Sequence, residues 1–447
     1  MATLEKFDPR GSSPLGSLAG PTHKKGDTLN RGTIRGLAYV PSLYFLEGLP
    51  YILVNVVSVI MFKKMGLSNQ LIGLTSWFYL PWVVKMFWAP MVDSYGTKRA
   101  WTVGTQVAMG VALVGVAVGL QGTAFLPVAF ALFTVLAFIS ATHDVAVDGF
   151  YMLALSPSDQ AFFTGIRSTF YRLAMMFGSG ALVVFAGRLE TSTENIPMSW
   201  AAAMGVAAGL LFVLGGFHAL VLPRPASDAP GVGTGRPSWG EVFGSYFRQD
   251  RVGVLVAFIL TYRLGEAFLS KMTAPFLLDD AAAGGLGLGT ESVGLVYGTV
   301  GLASLVLGGV LGGVAIARYS LARLLWPMAL ALKAPDLVYV YMAMAKPSLE
   351  VIYPLVAFEQ FGYGFGFTAF MVVLMYSASG PFKTSHFAIS TGIMALGMMV
   401  PGLISGYAQS ALGYLGFFGL VLVLTLPGLV MLFFLPQRVV EGDKEFL

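Results

Sequence analysis

The 447-residue chain is 56% hydrophobic and only 11% charged, with a mean hydropathy of +0.74 and a formal charge of +4. A soluble chain of this size carries about 25% charged residues, so there are too few here to cover a surface facing water, and lipid must be the solvent for most of it. The absence of cysteine excludes disulfides, thiolate nucleophiles and Cys-ligated metals.

In chain order, residues 1–35 are polar and contain Gly, Pro and Ser, without the short apolar core and cleavage site of a secretory leader; they read as a cytoplasmic tail. Twelve apolar stretches follow, near 36–62, 68–92, 101–122, 124–155, 160–187, 199–222, 251–278, 290–317, 320–345, 350–378, 384–409 and 413–436. Their lengths select helices, because a barrel strand is about ten residues of alternating polarity. Pro335 and Pro354 are expected to kink the ninth and tenth. The predicted fold class is an all-α membrane protein of about twelve helices in two bundles, 36–222 and 251–436, with a cytoplasmic tail at 437–447. The polar segment 223–250 between them reads as a cytoplasmic linker, its glycine-rich run 231–235 following Pro223 and Pro225 rather than a strand. Residues 238–249 are expected to form a short amphipathic helix on the inner surface.

Of the 27 Lys and Arg residues, 17 fall on the side of the two termini, against four (Lys63, Lys64, Arg188 and Lys346) on the opposite side. That bias places both termini in the cytoplasm and accounts for the net charge without a nucleic-acid partner. The halves also echo each other. Gly66–Leu74 aligns without gaps to Gly287–Leu295 at an offset of 221, and Pro127–Phe130 and Thr164–Ile166 find counterparts at Pro354–Phe358 and Thr391–Ile393. Two related six-helix bundles are what alternating access requires, with a site near midplane between them, and the fold reads as major-facilitator type.

An ionisable residue at the centre of a span costs about 2.5–3.5 kcal/mol on insertion scales, so each one is a candidate for function. The fourth span carries His143, Asp144 and Asp148, the two acids at i, i+4 on one helix face. Reflection across the turn at 157–158 sets Asp148 opposite Arg167 and Asp144 beside Tyr171 and Arg172. The Asp148–Arg167 pair reads either as a structural ion pair or as part of a coupling site. Glu47 lies near the middle of the first span, where Gly48 and Pro50 loosen the helix. The seventh span has Arg263 and Glu266 at i, i+3, with Lys271 beyond; the ninth has Lys333 and Asp336; the tenth has Glu359 and Gln360 with no local cation. Lys85 on the second span is expected to snorkel or to pair with an acid. Asp93, Gly96, Lys98 and Arg99 form an inner loop between the second and third spans that is similar to the D-x-x-G-x-[RK]-[RK] gate motif, in which the acid caps a neighbouring helix. The corresponding loop of the second half keeps Arg318 and Arg323 and lacks the acid.

Ser140-Ala-Thr-His-Asp-Val-Ala-Val-Asp148 resembles the S-A-[ST]-Q-D-[IV]-x-x-D signature of AmpG-like muropeptide permeases and their acetyl-CoA-transporter relatives. The stretch 358–370 within the tenth span, the stretch Thr384-Ser-His-Phe-Ala-Ile-Ser390 and Ala89-Pro-Met-Val-Asp93 resemble further motifs of the same family. The resemblance, spread over about 36–436, implies proton-driven import of N-acetylglucosaminyl-1,6-anhydro-muropeptides across the inner membrane, with Asp144, Asp148 and Glu359 in the polar centre. The chain departs from the pattern in having His143 and His386 where the permeases have Gln, and in lacking room for the extra C-terminal helices of some members.

The proton-coupling candidates are therefore Asp144, Asp148, Glu359, Glu47, Glu266 and His143, with protons as the only coupling ion and no cofactor. An anionic peptide–sugar would draw on Arg172, Arg263, Lys271 and Lys333, with Gln360 for hydrogen bonds and Tyr44 and Tyr262 for stacking. A siderophore or acyl-CoA-type solute is the alternative substrate, and a single chain the expected working unit. An enzyme or sensor is disfavoured. There is no GxSxG and no GxxxxGK[ST], and His23, His143, His218 and His386 never fall at metal-binding spacing.

Overall fold

The computed structural model describes residues 31–228, 239–378, 382–437 and 440; the first thirty residues, the glycine-rich part of the linker and nearly all of the final tail lie outside these. Among the described residues there are helices and no strands. Ten helices are long and apolar enough to cross a bilayer: α1 Thr33–Lys64, then, after the broken helix α2 (69–94), α3 Lys98–Gly119, α4 Phe125–Ala154, α5 Ser158–Thr193, α6 Ile196–Val221, α7 Val252–Leu278, α8 Thr290–Tyr319, α9 Leu321–Ala345, α10 Leu349–Ser377, and a last continuous run, Ser385–Phe434. That run has 50 residues, more than twice the ~20 a bilayer needs. It turns back at Gly413 (φ 65°, ψ 175°), a conformation open to glycine, and so provides two spans, α11 (385–412) and α12 (414–434). With α2 this makes twelve spans among the described residues.

Local chemistry sets the helix starts. Ser68, Thr97, Ser156 and Asn195 each accept a backbone N–H at the beginning of α2, α3, α5 and α6. Two 3-10 turns, Thr75–Tyr79 and Lys85–Phe87, interrupt α2, with Pro81 and Pro90 each opening the next short helical piece. Pro335 breaks α9 at the 3-10 turn Ala334–Asp336, whereas α10 runs unbroken through Pro354. Pro354 sits in the second turn, where loss of an N–H disturbs few bonds. Three spans contain π-helical segments: Leu53–Val57 in α1, Phe177–Leu182 in α5 and Gly294–Gly301 in α8.

Within the first half α3 packs on α4 and α6, and α1 on α5; in the second, α8 and α9 pack on α10, and α7 on the α11–α12 run. The halves meet where α5 crosses α8 and α2 crosses α11, two crossings related by the internal repeat. Both depend on glycine. A Cβ on Gly298 would stand 1.9 Å from Ser179 O, and one on Gly406 1.8 Å from Asn69 O. The linker helix Trp239–Phe247 lies on the start of α11, with Ser245 Oγ 2.8 Å from His386 Nε2 and Tyr246 Oη 2.9 Å from Ser390 Oγ. Its Phe243 stacks on Phe87 of α2 in the other half.

Candidate functional site

A cavity of about 150 Å³ lies between the halves, reached by Tyr51 and Asn55 of α1, Tyr79 of α2, Arg263 and Glu266 of α7 and Glu359 of α10.

Toward the face that carries the termini, α1, α2, α4 and α5 build a cluster of five charges. Asp144 pairs with Lys85. Asp148 accepts from Arg167 at 2.9 Å and from Tyr44 Oη at 3.0 Å, and the guanidinium lies 4.5 Å from the centre of the Tyr44 ring. Carboxylate oxygens of Glu47, Asp144 and Asp148 lie within 4.8 Å of one another, and Glu47 Oε2 has no hydrogen-bond partner among the described residues. Three acids thus share two cations, leaving one carboxylate in excess. The Asp148 side chain is 44% exposed and that of Arg167 32%, so water reaches this cluster.

In the second half Glu266, Asp336 and Glu359 gather with Lys333 and Arg263, more deeply buried than the first cluster. Lys333 donates to Glu266 Oε1 at 2.6 Å and to the Tyr262 carbonyl, with side-chain exposures of 3% and 6% for the ion pair. Arg263 donates to Tyr363 Oη and lies 4.8 Å from the Phe367 ring centre. Glu359 Oε2 accepts from Tyr339 at 3.1 Å and from Gln360 at 2.8 Å, while Asp336 Oδ2 is buried without a partner among the described residues. Removing one member of a buried pair costs about 3–5 kcal/mol, and removing both restores much of that. Lys333→Met is therefore expected to lower the melting temperature of the detergent-purified protein by several degrees, and Lys333→Met with Glu266→Met to recover most of the loss.

Several sequence expectations are redirected. Glu47, which the sequence placed only near the middle of its span, joins the Asp144–Asp148 cluster. Asp144 takes Lys85 in place of Tyr171 and Arg172, because α5 leaves α4 after their shared turn and packs along α1. Arg172 turns to α8, where a Cβ on Gly309 would stand 3.3 Å from its Nη1. Glu266 pairs with Lys333, not Arg263, and Lys333 does not pair with Asp336. Tyr44 and Tyr262 are packed in the interior, Tyr262 stacked 5.2 Å from Phe370. His143 points away from the cavity into a buried chain: its Nε2 is 3.0 Å from Gln106 Nε2, Gln106 Oε1 is 3.0 Å from His218 Nδ1, and His218 Nε2 is 2.9 Å from Ser42 Oγ. In the loop before α3, Gly96 takes a positive φ of 70°, and Asp228 from the linker accepts the N–H groups of Lys98 and Arg99 at 2.6 and 3.0 Å. Arg99 in turn caps α6 through the Leu222 and Ala219 carbonyls. The Asp93 side chain lies outside the described parts.

On the face opposite the termini the halves are latched. Lys63 meets Asp279 at 2.6 Å; Asn69 donates to Gln409 at 2.7 Å and Tyr414 at 3.0 Å; Arg188 reaches Glu291 at 2.8 Å and Thr290 donates to Glu190 at 2.6 Å. Below this latch Lys271 crosses from α7 to the other half, its Nζ 3.3 Å from the Asn55 carbonyl in the π segment of α1 and 3.4 Å from Thr75 Oγ1. The sequence carried no sign of this latch beyond the few charges counted on that face.

Two six-helix bundles that close on one face around a central polar cavity define a membrane transporter. The chain belongs to the Major Facilitator Superfamily, whose family model matches residues 42–381. It is similar to the anhydromuropeptide permease of Escherichia coli K12, 26% identical over 395 residues that cover 87% of this chain and 77% of that protein. A Haemophilus influenzae protein is 26% identical over 419 residues, covering 90% and 94%, and the putative transporter AmpG 4 of Rickettsia conorii is 21% identical over 407, covering 89% and 95%. Among solved structures the fold is shared with a D-xylose–proton symporter (12% identity, TM-score 0.67, covering 91% of this chain and 98% of that one). It is also shared with an inward-facing, unoccupied bacterial homologue of the lysosomal transporter Spinster (15% identity, TM-score 0.67, covering 93% and 98%).

Proposed function

We propose that the chain imports peptidoglycan-derived anhydro-muropeptides across the inner membrane in symport with protons, as a single chain whose termini are cytoplasmic. The observation that carries the coupling is the surplus carboxylate of the α1–α4 cluster. With Asp144 held by Lys85 and Asp148 by Arg167, Glu47 is left to take up and release a proton as the bundles open to one side and then the other. An ammonium and a guanidinium already seated there work against a metal ion at this position. With the termini inside, the latched face is periplasmic and the wet cluster opens to the cytoplasm, which makes this an inward-facing state. The substrate class rests on the similarity to the Escherichia coli permease. The cavity is far smaller than a disaccharide–peptide, so the bundles must part further to admit one. Arg263 lines the cavity and Lys271 lies behind it, where both suit the carboxylates of such a solute.

The test is uptake of radiolabelled anhydro-muropeptide into spheroplasts expressing the chain, in sodium-free buffer, with and without a protonophore. Accumulation that collapses with the protonophore, and recovery of the solute chemically intact, are expected. Uptake of a ferric siderophore or an acyl-CoA with none of muropeptide would replace the substrate; accumulation indifferent to the protonophore would overturn the coupling.

A further inference from the structure

Away from the transport path, the end of α1 at the face carrying the termini, the end of α6 and the start of the linker enclose a cavity of about 770 Å³ rimmed by Arg35, Arg99 and Arg224. Arg99 is anchored to the carbonyls that end α6. Arg35 and Arg224 are exposed and meet no carboxylate among the described residues. The Asp228 carboxylate beside Arg99 is taken up by the N–H groups of Lys98 and Arg99, so the rim keeps an excess of positive charge that suits an anion with several acceptor oxygens.

The neighbouring surface says what kind of anion. Leu220, 87% exposed, and Val221 add apolar surface beside the basic cavity, and Ala38 belongs both to it and to a second groove of about 530 Å³. That groove is almost wholly apolar, walled by Phe45 on α1, Phe170 and Phe177 on α5, and Leu214 and Phe217 on α6. From Ala38 to Phe45 on α1, and from Phe217 to Leu210 on α6, it descends about 10 Å toward midplane at 1.5 Å per residue. A soluble phosphate would use only the rim. A molecule that fills both parts has an anionic head at the membrane surface and a hydrocarbon tail below it.

We propose that this composite site binds one anionic diacyl phospholipid, its phosphate held by Arg35, Arg99 and Arg224 and one acyl chain lying in the groove between α1, α5 and α6. The site is independent of the substrate assignment. Its test is native mass spectrometry of the purified full chain exposed to phosphatidylglycerol or phosphatidylcholine with the same acyl chains. One phosphatidylglycerol retained per chain, with at least about tenfold preference over phosphatidylcholine, is expected. Arg35→Gln with Arg224→Gln, both surface changes, should erase the preference. Leu214→Trp, which fills the groove without altering charge, should weaken retention of both lipids. Equal retention of the two lipids by the unaltered protein, a preference that survives the double substitution, or undiminished retention by Leu214→Trp would overturn the proposal. Retention of glycerol phosphate as strongly as phosphatidylglycerol would likewise overturn it, since the rim alone would then account for binding.

Discussion

Glu47→Gln is expected to abolish accumulation of substrate against its gradient while leaving exchange between labelled and unlabelled substrate within about threefold of the unaltered protein. The substitution removes the carboxylate that has no cation of its own and leaves the Asp144–Lys85 and Asp148–Arg167 pairs intact. One proton moving through 100 mV is worth about 2.3 kcal/mol, enough to hold roughly a fifty-fold gradient of a neutral solute, and that is the quantity at stake. Asp144→Asn, which the sequence recommends equally, is a poorer test because it also removes the carboxylate that Lys85 pairs with. Accumulation by Glu47→Gln at the level of the unaltered protein would remove Glu47 from the coupling step.

The second large effect is expected at the crossing of α5 and α8. Gly298→Val places a side chain where backbone already stands, 1.9 Å from the Ser179 carbonyl oxygen, and neither helix can yield without the halves separating. Overpacking of this kind costs about 1–3 kcal/mol, which moves the closed-to-open ratio of that face by roughly 5- to 150-fold. Transport should fall at least about tenfold for want of the latched state. Because the chain has no cysteine, Ser270→Cys in the cavity wall can report on the opening. A membrane-impermeant maleimide added from the latched side should label it several-fold faster when Gly298→Val is also present. Unchanged labelling together with unchanged transport would show that the crossing does not gate.

The sequence predicted the features that follow from solvent and chain connectivity. Hydropathy located the spans, and the turn at 157–158 placed Asp148 against Arg167 because both residues flank one short hairpin. Pairings between distant helices were not legible. Lys85 and Asp144 are 59 positions apart, Lys333 and Glu266 67, and Asn69 and Gln409 340, and no local spacing rule reaches so far. The i, i+3 readings failed for a physical reason. Arg263 sits at a break between two helical pieces (φ −108°, ψ 18°), and Lys333 immediately precedes a 3-10 turn, so neither keeps the regular stripe that the rule assumes. Asp228, which caps α3, lies 130 residues from its partner in a loop that reads as plain linker.

The π-helical stretches of α1, α5 and α8 act as phase joints. Each winds its backbone through i→i+5 loops, so the helix beyond it is displaced by about one residue, roughly 100° of azimuth, from where regular winding would carry it. In α5 the stretch Phe177–Leu182 precedes the piece Val183–Thr193 that bears Arg188 and Glu190. The direction in which those two latch residues point is thus set by the loop below them, at the level where α5 lies against α8.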